Sequence, residues 1–165
     1  MVEVQVIIGS IYKMQVSNKG IELVKRYEVF ISKTYVCPAG YKTIGFGHQT
    51  DEMTTITEPE AENLLRRDLN KFASKISYSL ERDKIKVNQN QFDALCSFAF
   101  NLGYSALVFS TLWKKLKQGD FEGASNEFLK CVYITKTDTE TGERFKLKLK
   151  GLEFRRKSEQ ELFNC

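Results

Sequence analysis

The sequence predicts an α+β fold in which helices dominate and a small antiparallel sheet near the N-terminus forms a lobe of its own. Three features of the chain point there. Apolar residues recur at helical spacing over residues 18–31 and 58–80, the pattern of helices that bury one face. Residues 35–56 instead carry short extended runs punctuated by Pro38, Gly40, Gly45 and Gly47, as strands in a tight meander do. Residues 92–100 are apolar nearly all round, the mark of a helix buried at the centre of a packed body.

Each element rests on local signals. Ser17-Asn18 opens a first helix expected to run to about Ile31, with Ile21, Val24, Tyr27, Phe30 and Ile31 on its apolar face. After the meander, Asp51-Glu52 makes a turn before Met53. Thr57-Glu-Pro-Glu60 is a capping box, with the acceptor hydroxyl at the cap and a carboxylate three residues on. It starts a long helix to about Leu80, apolar at Ala61, Leu64, Leu65, Leu69, Phe72 and Ile76, which joins the sheet lobe to the helices beyond it. Asn88 with Gln91 caps the central helix, which stops at Asn101-Leu-Gly103. Two further helices are expected, Ser110 to Gln118 and Phe121 to about Tyr133. Residues 136–150 read as a loop or hairpin around Thr141-Gly142, and a last helix runs from about Leu152 to Phe163. The expected organisation is an extension at 1–13 and one domain at 14–165. That domain divides into a small lobe at about 32–57, a linking helix at 58–80 and a helical lobe at 88–163.

Composition narrows the class. A chain of 165 residues with 42% hydrophobic and 28% charged residues suits one soluble domain with a sizeable core. No run approaches the ~18 consecutive apolar residues of a membrane span. Residues 1–13 read as a strand-like extension ahead of Met14, with Glu3 where an export signal would carry basic residues. The cysteines at 37, 96, 131 and 165 form no Cys-x-x-Cys pair, and the chain has one histidine. That spacing argues against a structural zinc site and offers no disulfide framework, and reduced thiols suit a cytoplasm. The net charge of +4 gathers late, at Lys114, Lys115 and Lys117, at Lys146 to Lys150, and at Arg155 to Lys157. It favours anionic polymers without choosing among them. The lysines lack interleaved stacking aromatics, so nucleic-acid binding is not expected.

The chemistry concentrates between Glu28 and His48. On a helical wheel Glu28 falls between Ile21 and Val24, inside the edge of the apolar arc. Partial desolvation there disfavours the anion, which suits a general acid that must hold its proton near neutral pH. An ion pair with Arg155 or Arg156 would act in the opposite sense and make Glu28 a structural boundary residue. Cys37 precedes a tight turn, and Thr43 sits in a glycine-flanked strand. A hydroxyl orients water without becoming a strong base, and an ordinary thiol is mostly protonated at neutral pH. The plain structural alternative is a half-buried cysteine and a strand threonine. His48 has no metal partners at ligand spacing. Asp68 is its expected partner, in an ion pair tying the sheet to the long helix.

Glu28, Cys37 nine positions on, Thr43 six further, then Ile-Gly-Phe-Gly-His48 resemble the signature of the phage-type lysozyme (endolysin) family of glycoside hydrolases. That signature has Glu, then Asp or Cys, then Thr at the same spacings, followed by Ile-Gly-aromatic-Gly-His. The likeness continues through Glu60-Ala-Glu-Asn-Leu-Leu-Arg-Arg-Asp-Leu and Asn90-Gln-Phe-Asp-Ala-Leu-Cys-Ser-Phe-Ala-Phe-Asn-Leu-Gly. Ser110-Thr-Leu, Gly119-Asp-Phe and Gly151-Leu-Glu-Phe-Arg-Arg-Lys-Ser-Glu come next, in the family's order. It covers roughly Met14 to Phe163, leaving residues 1–13 and 136–150 outside.

The resemblance implies a lysozyme-like fold with its cleft between the two lobes. It implies hydrolysis of the β-1,4 bond between N-acetylmuramic acid and N-acetylglucosamine in peptidoglycan, causing bacterial lysis. By position Glu28 is the acid, Cys37 and Thr43 hold the attacking water, and Phe100 and more loosely Thr111 line the glycan cleft. No metal or organic cofactor is implied. The expected partner is the peptidoglycan glycan strand, met by a monomer without nucleic acid or stable membrane association. The expected location is the bacterial host cytoplasm until release to the wall. Two departures stand out: Val29 where the family usually has glycine, and a thiol at 37 where inverting hydrolysis normally uses a carboxylate base. Rival readings are a non-catalytic glycan-binding module of the same fold and a transglycosylase acting on the same bond.

Overall fold

The computed structural model describes residues 13–37 and 39–165; the strand-like reading of residues 1–12 lies outside the described residues. The elements in order are α1 (Asn18–Tyr27), β1 (Ile31–Val36), β2 (Lys42–Gly45), β3 (His48–Gln49), α2 (Glu58–Arg82) and α3 (Gln89–Leu102). They are followed by α4 (Tyr104–Val108), α5 (Thr111–Lys117), α6 (Phe121–Phe128), β4 (Tyr133–Thr137), β5 (Arg144–Lys148) and α7 (Lys150–Phe163).

Helix α1 corrects the sequence reading at both ends. It stops at Tyr27, and Glu28 is already extended, at φ −106 and ψ 130. The Glu28 N–H still donates to the Val24 carbonyl at 3.1 Å, closing the last turn. Val29, Phe30 and Ile31 favour extended backbone, and strand pairing begins at Ile31: it pairs with Gly45, and the Ile56 N–H donates to the Ser32 carbonyl at 2.9 Å. At the other end Ser17 holds the cap position, yet its side chain makes no cap bond. Its hydroxyl donates to the buried Asp93 carboxylate instead, and its backbone N–H reaches the same group at 3.0 Å.

The sheet β1-β2-β3 is antiparallel throughout, with Tyr35 opposite Thr43 and Ile44 opposite His48. A register shift between Ile31 and Tyr35 bends β1. Gly45 is required twice over. Its φ is +66, and a Cβ there would lie 2.9 Å from the Ala61 Cβ on α2.

Both capping boxes form: Thr57 with Glu60 at the start of α2, and Asn88 with Gln91 at the start of α3. At 25 residues, α2 is about 37 Å long and serves two cores. Ala61, Leu65 and Leu69 pack with Ile21, Val24 and Phe46 in the small lobe. Farther along, Ala73, Ile76 and Leu80 join the larger core, in which α3 is buried among α2, α5, α6 and α7.

Two other features differ from the sequence reading, while the segment read as a loop or hairpin is a hairpin that starts three residues earlier. The five-residue α4 has no counterpart in it. Helix α6 ends at Phe128 rather than near Tyr133, which instead begins β4. Residues 133–148 form a two-stranded hairpin with Lys136 opposite Phe145 and Thr137 opposite Arg144.

Candidate active site

A cavity of about 530 Å³ opens between the lobes, lined on the sheet side by Phe46, Gly47, His48 and Gln49 and on the α2 side by Asp68, Lys71 and Phe72. Glu28, Phe100 and Asn101 complete its wall. Phe100 packs against the small-lobe core, and its ring meets Phe72 edge-on at 5.8 Å. That contact joins the two cores within the cavity lining.

Glu28 is held from the far end of the chain. Arg155 on α7 donates from Nη1 to Glu28 Oε1 at 2.7 Å; the arginine side chain is 4% exposed and the glutamate 26%. Tyr27, the preceding residue, is fixed in the same way. Its hydroxyl donates to the Phe154 carbonyl at 2.9 Å and lies 2.7 Å from the Ser158 hydroxyl, while the Arg155 guanidinium sits over its ring at 5.8 Å. The half-burial of Glu28 therefore comes from α7 and from its place at the end of α1, not from an apolar arc of its own helix. The arginine that would make it a boundary residue is present, and so is the cavity.

Cys37 and Thr43 meet across the β1–β2 turn. The Cys37 backbone N–H donates to the Tyr41 carbonyl at 2.9 Å, and the Thr43 hydroxyl donates to the same carbonyl at 3.1 Å. Thr43 is buried and Cys37 half-buried. A backbone hydrogen bond from Tyr41 and the Thr43 hydroxyl beside the thiol lower the Cys37 pKa from its ordinary value. A thiolate is thus more accessible here than at an unassisted cysteine. Cys131 and Cys96 behave oppositely, both being pushed up by burial.

The expected site residues are therefore only partly gathered. Glu28, Phe100, His48 and Asp68 line the cavity; Cys37, Thr43 and Thr111 are not among its lining residues. Thr111 is the exposed first residue of α5. His48 Nδ1 lies 2.7 Å from Asp68 Oδ2, tying β3 to α2, and Lys71 reaches the other Asp68 oxygen at 2.8 Å. Sequence reasoning named Arg155 as a possible partner of Glu28, and that pair forms; it missed Asn101, Gln49 and Lys71 in the cavity wall, and the buried Glu159 behind it. One signal was available: Arg155, Arg156, Glu159 and Phe163 fall at helical spacing and are together the buried stripe of α7. Among the described residues no group of three or more His, Cys, Asp or Glu side chains is placed to hold a metal ion. No described helix is long and apolar enough to cross a membrane.

The family model described as phage lysozyme matches residues 25–159, a span that includes Glu28, the sheet, the linking helix and Arg155. The chain belongs to the phage lysozyme family. It is 40% identical to an endolysin of Acyrthosiphon pisum secondary endosymbiont phage 1, over 91% of this chain and 98% of that one. To the endolysin of Salmonella phage P22 it is 39% identical, over 70% of this chain and 82% of the other. It spans about half the length of two Bacillus phage endolysins, covering 45% of the B103 protein and 55% of the PZA protein. Among solved structures, the endolysin from Escherichia coli O157:H7 phage FAHEc1 superposes with TM-score 0.76 at 31% identity, covering 91% of this chain and 93% of its own. The muramidase domain of SpmX from Asticaccaulis excentricus gives TM-score 0.77 at 29% identity, covering 92% and 98%. As a phage lysozyme the chain is a glycoside hydrolase, and its helix-dominated fold with a small antiparallel sheet is the one those neighbours share.

Proposed function

We propose that this lysozyme cuts the β-1,4 bond between N-acetylmuramic acid and N-acetylglucosamine in peptidoglycan, with Glu28 as the proton donor. The observation that carries this reading is the clamp on Glu28: a carboxyl in the wall of the interlobe cavity, its position set by a buried guanidinium 2.7 Å away. The Glu28 proton passes to the departing glycosidic oxygen as the bond to the anomeric carbon breaks. The carboxylate left behind faces the Arg155 charge, which stabilises it as it forms. Water adds to the oxocarbenium-like carbon from the opposite side. Thr43, whose hydroxyl lies 3.1 Å from the Tyr41 carbonyl, keeps a lone pair for that water; it takes this role from its place in the family signature, since it lies outside the cavity lining. The Cys37 thiol, beside Thr43 at the same turn, helps hold that water, and the proton the water loses as it adds to the carbon passes to bulk solvent. Phe46, Phe72 and Phe100 give the cavity apolar faces against which sugar rings stack. The enzyme acts as a monomer on the cell wall after storage in the host cytoplasm, and His48–Asp68 ties the sheet to the linking helix.

The test is a reducing-end assay on purified peptidoglycan with Glu28→Gln, whose fold is checked by circular dichroism. Loss of all product is expected; turnover by a folded Glu28→Gln removes the carboxyl from its role. Mass analysis of the fragments separates the two routes, because a transglycosylase leaves anhydro ends and a hydrolase does not.

A further inference from the structure

Behind the cavity wall lies a buried charge cluster that the hydrolysis scheme does not use. Glu159 is fully buried, and its Oε1 accepts three hydrogen bonds: from the Ser97 hydroxyl at 2.6 Å, from Arg156 Nη2 at 2.8 Å and from Arg155 Nε at 3.3 Å. Each arginine then reaches forward to a residue of the cavity wall. Arg155 donates to Glu28 at 2.7 Å, and the same Nη2 of Arg156 donates to Asn101 Oδ1 at 3.1 Å. Glu28 and Asn101 both line the cavity. One stands at the end of α1 and the other on α3; what they have in common is one carboxylate on α7.

We propose that Glu159 is a positioning residue, the buried anion that sets both arginines and through them fixes Glu28 and Asn101 in the cavity wall. The inference rests on the reading of Glu28 as proton donor. Charge balance supports it. Arg155 and Arg156 are opposed inside the cluster by Glu159 and at its edge by Glu28. Neutralising Glu159 leaves two buried guanidiniums competing for one carboxylate, and a fork freed from one partner rotates toward the other. Ångström-scale misplacement of Glu28 slows the chemical step, while the apolar cavity walls that grip the glycan are untouched. The lost function is therefore in turnover, not in binding.

The experiment measures kcat and KM on soluble glycan chains for Glu159→Gln, alone and in an Arg155→Gln background, beside Glu28→Gln. The expected result is a kcat lowered about 10- to 100-fold with KM changed by less than about threefold. In the Arg155→Gln background the same change should add less than about threefold, because the path to Glu28 is already cut. If Glu159→Gln does not fold, Ser97→Ala removes one donor to the same oxygen, and its kcat is expected to fall at constant KM. Wild-type kcat in the folded variant, or a loss that multiplies undiminished in the Arg155→Gln background, would overturn the inference. An inert Glu28→Gln beside an unaffected Glu159→Gln overturns this inference alone, whereas a fully active Glu28→Gln overturns the donor assignment and this inference with it.

Discussion

Gly45→Ala is the sharpest probe of how the Ile44-Gly45-Phe46-Gly47-His48 run supports the site. Two costs are separable. At φ +66 an added Cβ crowds its own backbone, which costs about 1–2 kcal/mol in the left-handed region. The same Cβ lies 2.9 Å from Ala61 Cβ and 3.3 Å from Ile56 Cδ1, and overpacking of that kind costs about 1–3 kcal/mol. Together these come to about 2–5 kcal/mol, a large share of the stability of a domain this size. Urea unfolding monitored by circular dichroism reads it as a lower midpoint. The companion variant Ala61→Gly removes the clashing methyl while costing about 1 kcal/mol of helix propensity. Measured against Ala61→Gly, the added Gly45→Ala should cost less than in the parent, about 1–3 kcal/mol, because only the backbone part and the 3.3 Å approach to Ile56 Cδ1 remain. A Gly45→Ala variant within about 0.5 kcal/mol of the parent would contradict both costs. An equal loss in the two backgrounds would show that α2 does not press on this strand.

The thiols, the Asp83 carboxylate and the histidine tie each admit a separate measurement. Iodoacetamide at neutral pH should alkylate Cys37 well before Cys131 or Cys96, since its pKa is lowered where theirs are raised by burial; peptide mapping that finds Cys131 modified first would contradict this. Asp83 accepts from Arg82 at 2.8 and 2.9 Å and from Trp113 Nε1 at 2.8 Å, and these partners hold its carboxyl well below the usual range. Its contribution is present above the unfolded-state value of about 3.9 and is lost as pH falls toward the lower folded value. Asp83→Asn should therefore cost about 1–3 kcal/mol at pH 7, with the gap to the parent narrowing only below about pH 4; a gap independent of pH down to about 2 would be inconsistent with it. His48→Gln should lower the unfolding midpoint while keeping turnover within about tenfold of the parent, and a larger loss of kcat at unchanged stability would place the imidazole in the chemistry.

What the sequence makes legible depends on how far apart the interacting residues lie. Both capping boxes are readable because each spans three positions, and the two bonds they make are local. The end of α1 is not. Val29, Phe30 and Ile31 prolong the apolar period of the helix, and only the pairing of Ile31 with Gly45 on β2 and of Ser32 with Ile56 takes the chain into strand instead. Helix α4 has five residues, too few to show a period. Arg155 and Arg156 count in the sequence as part of a late basic cluster, because hydropathy cannot tell arginines that meet buried carboxylates from arginines that meet water. The same division runs through the site itself. Cys37 and Thr43 are neighbours across one turn, and their spacing carries the information. Glu28 is completed by a residue 127 positions away, so nothing in its own segment reports whether its carboxyl is desolvated, paired or both. The expected desolvation by an apolar arc is therefore the wrong cause for a half-buried acid, and the physical cause is tertiary: α7 supplies the charge, the burial and, through Tyr27, the anchorage of the chain on which Glu28 stands.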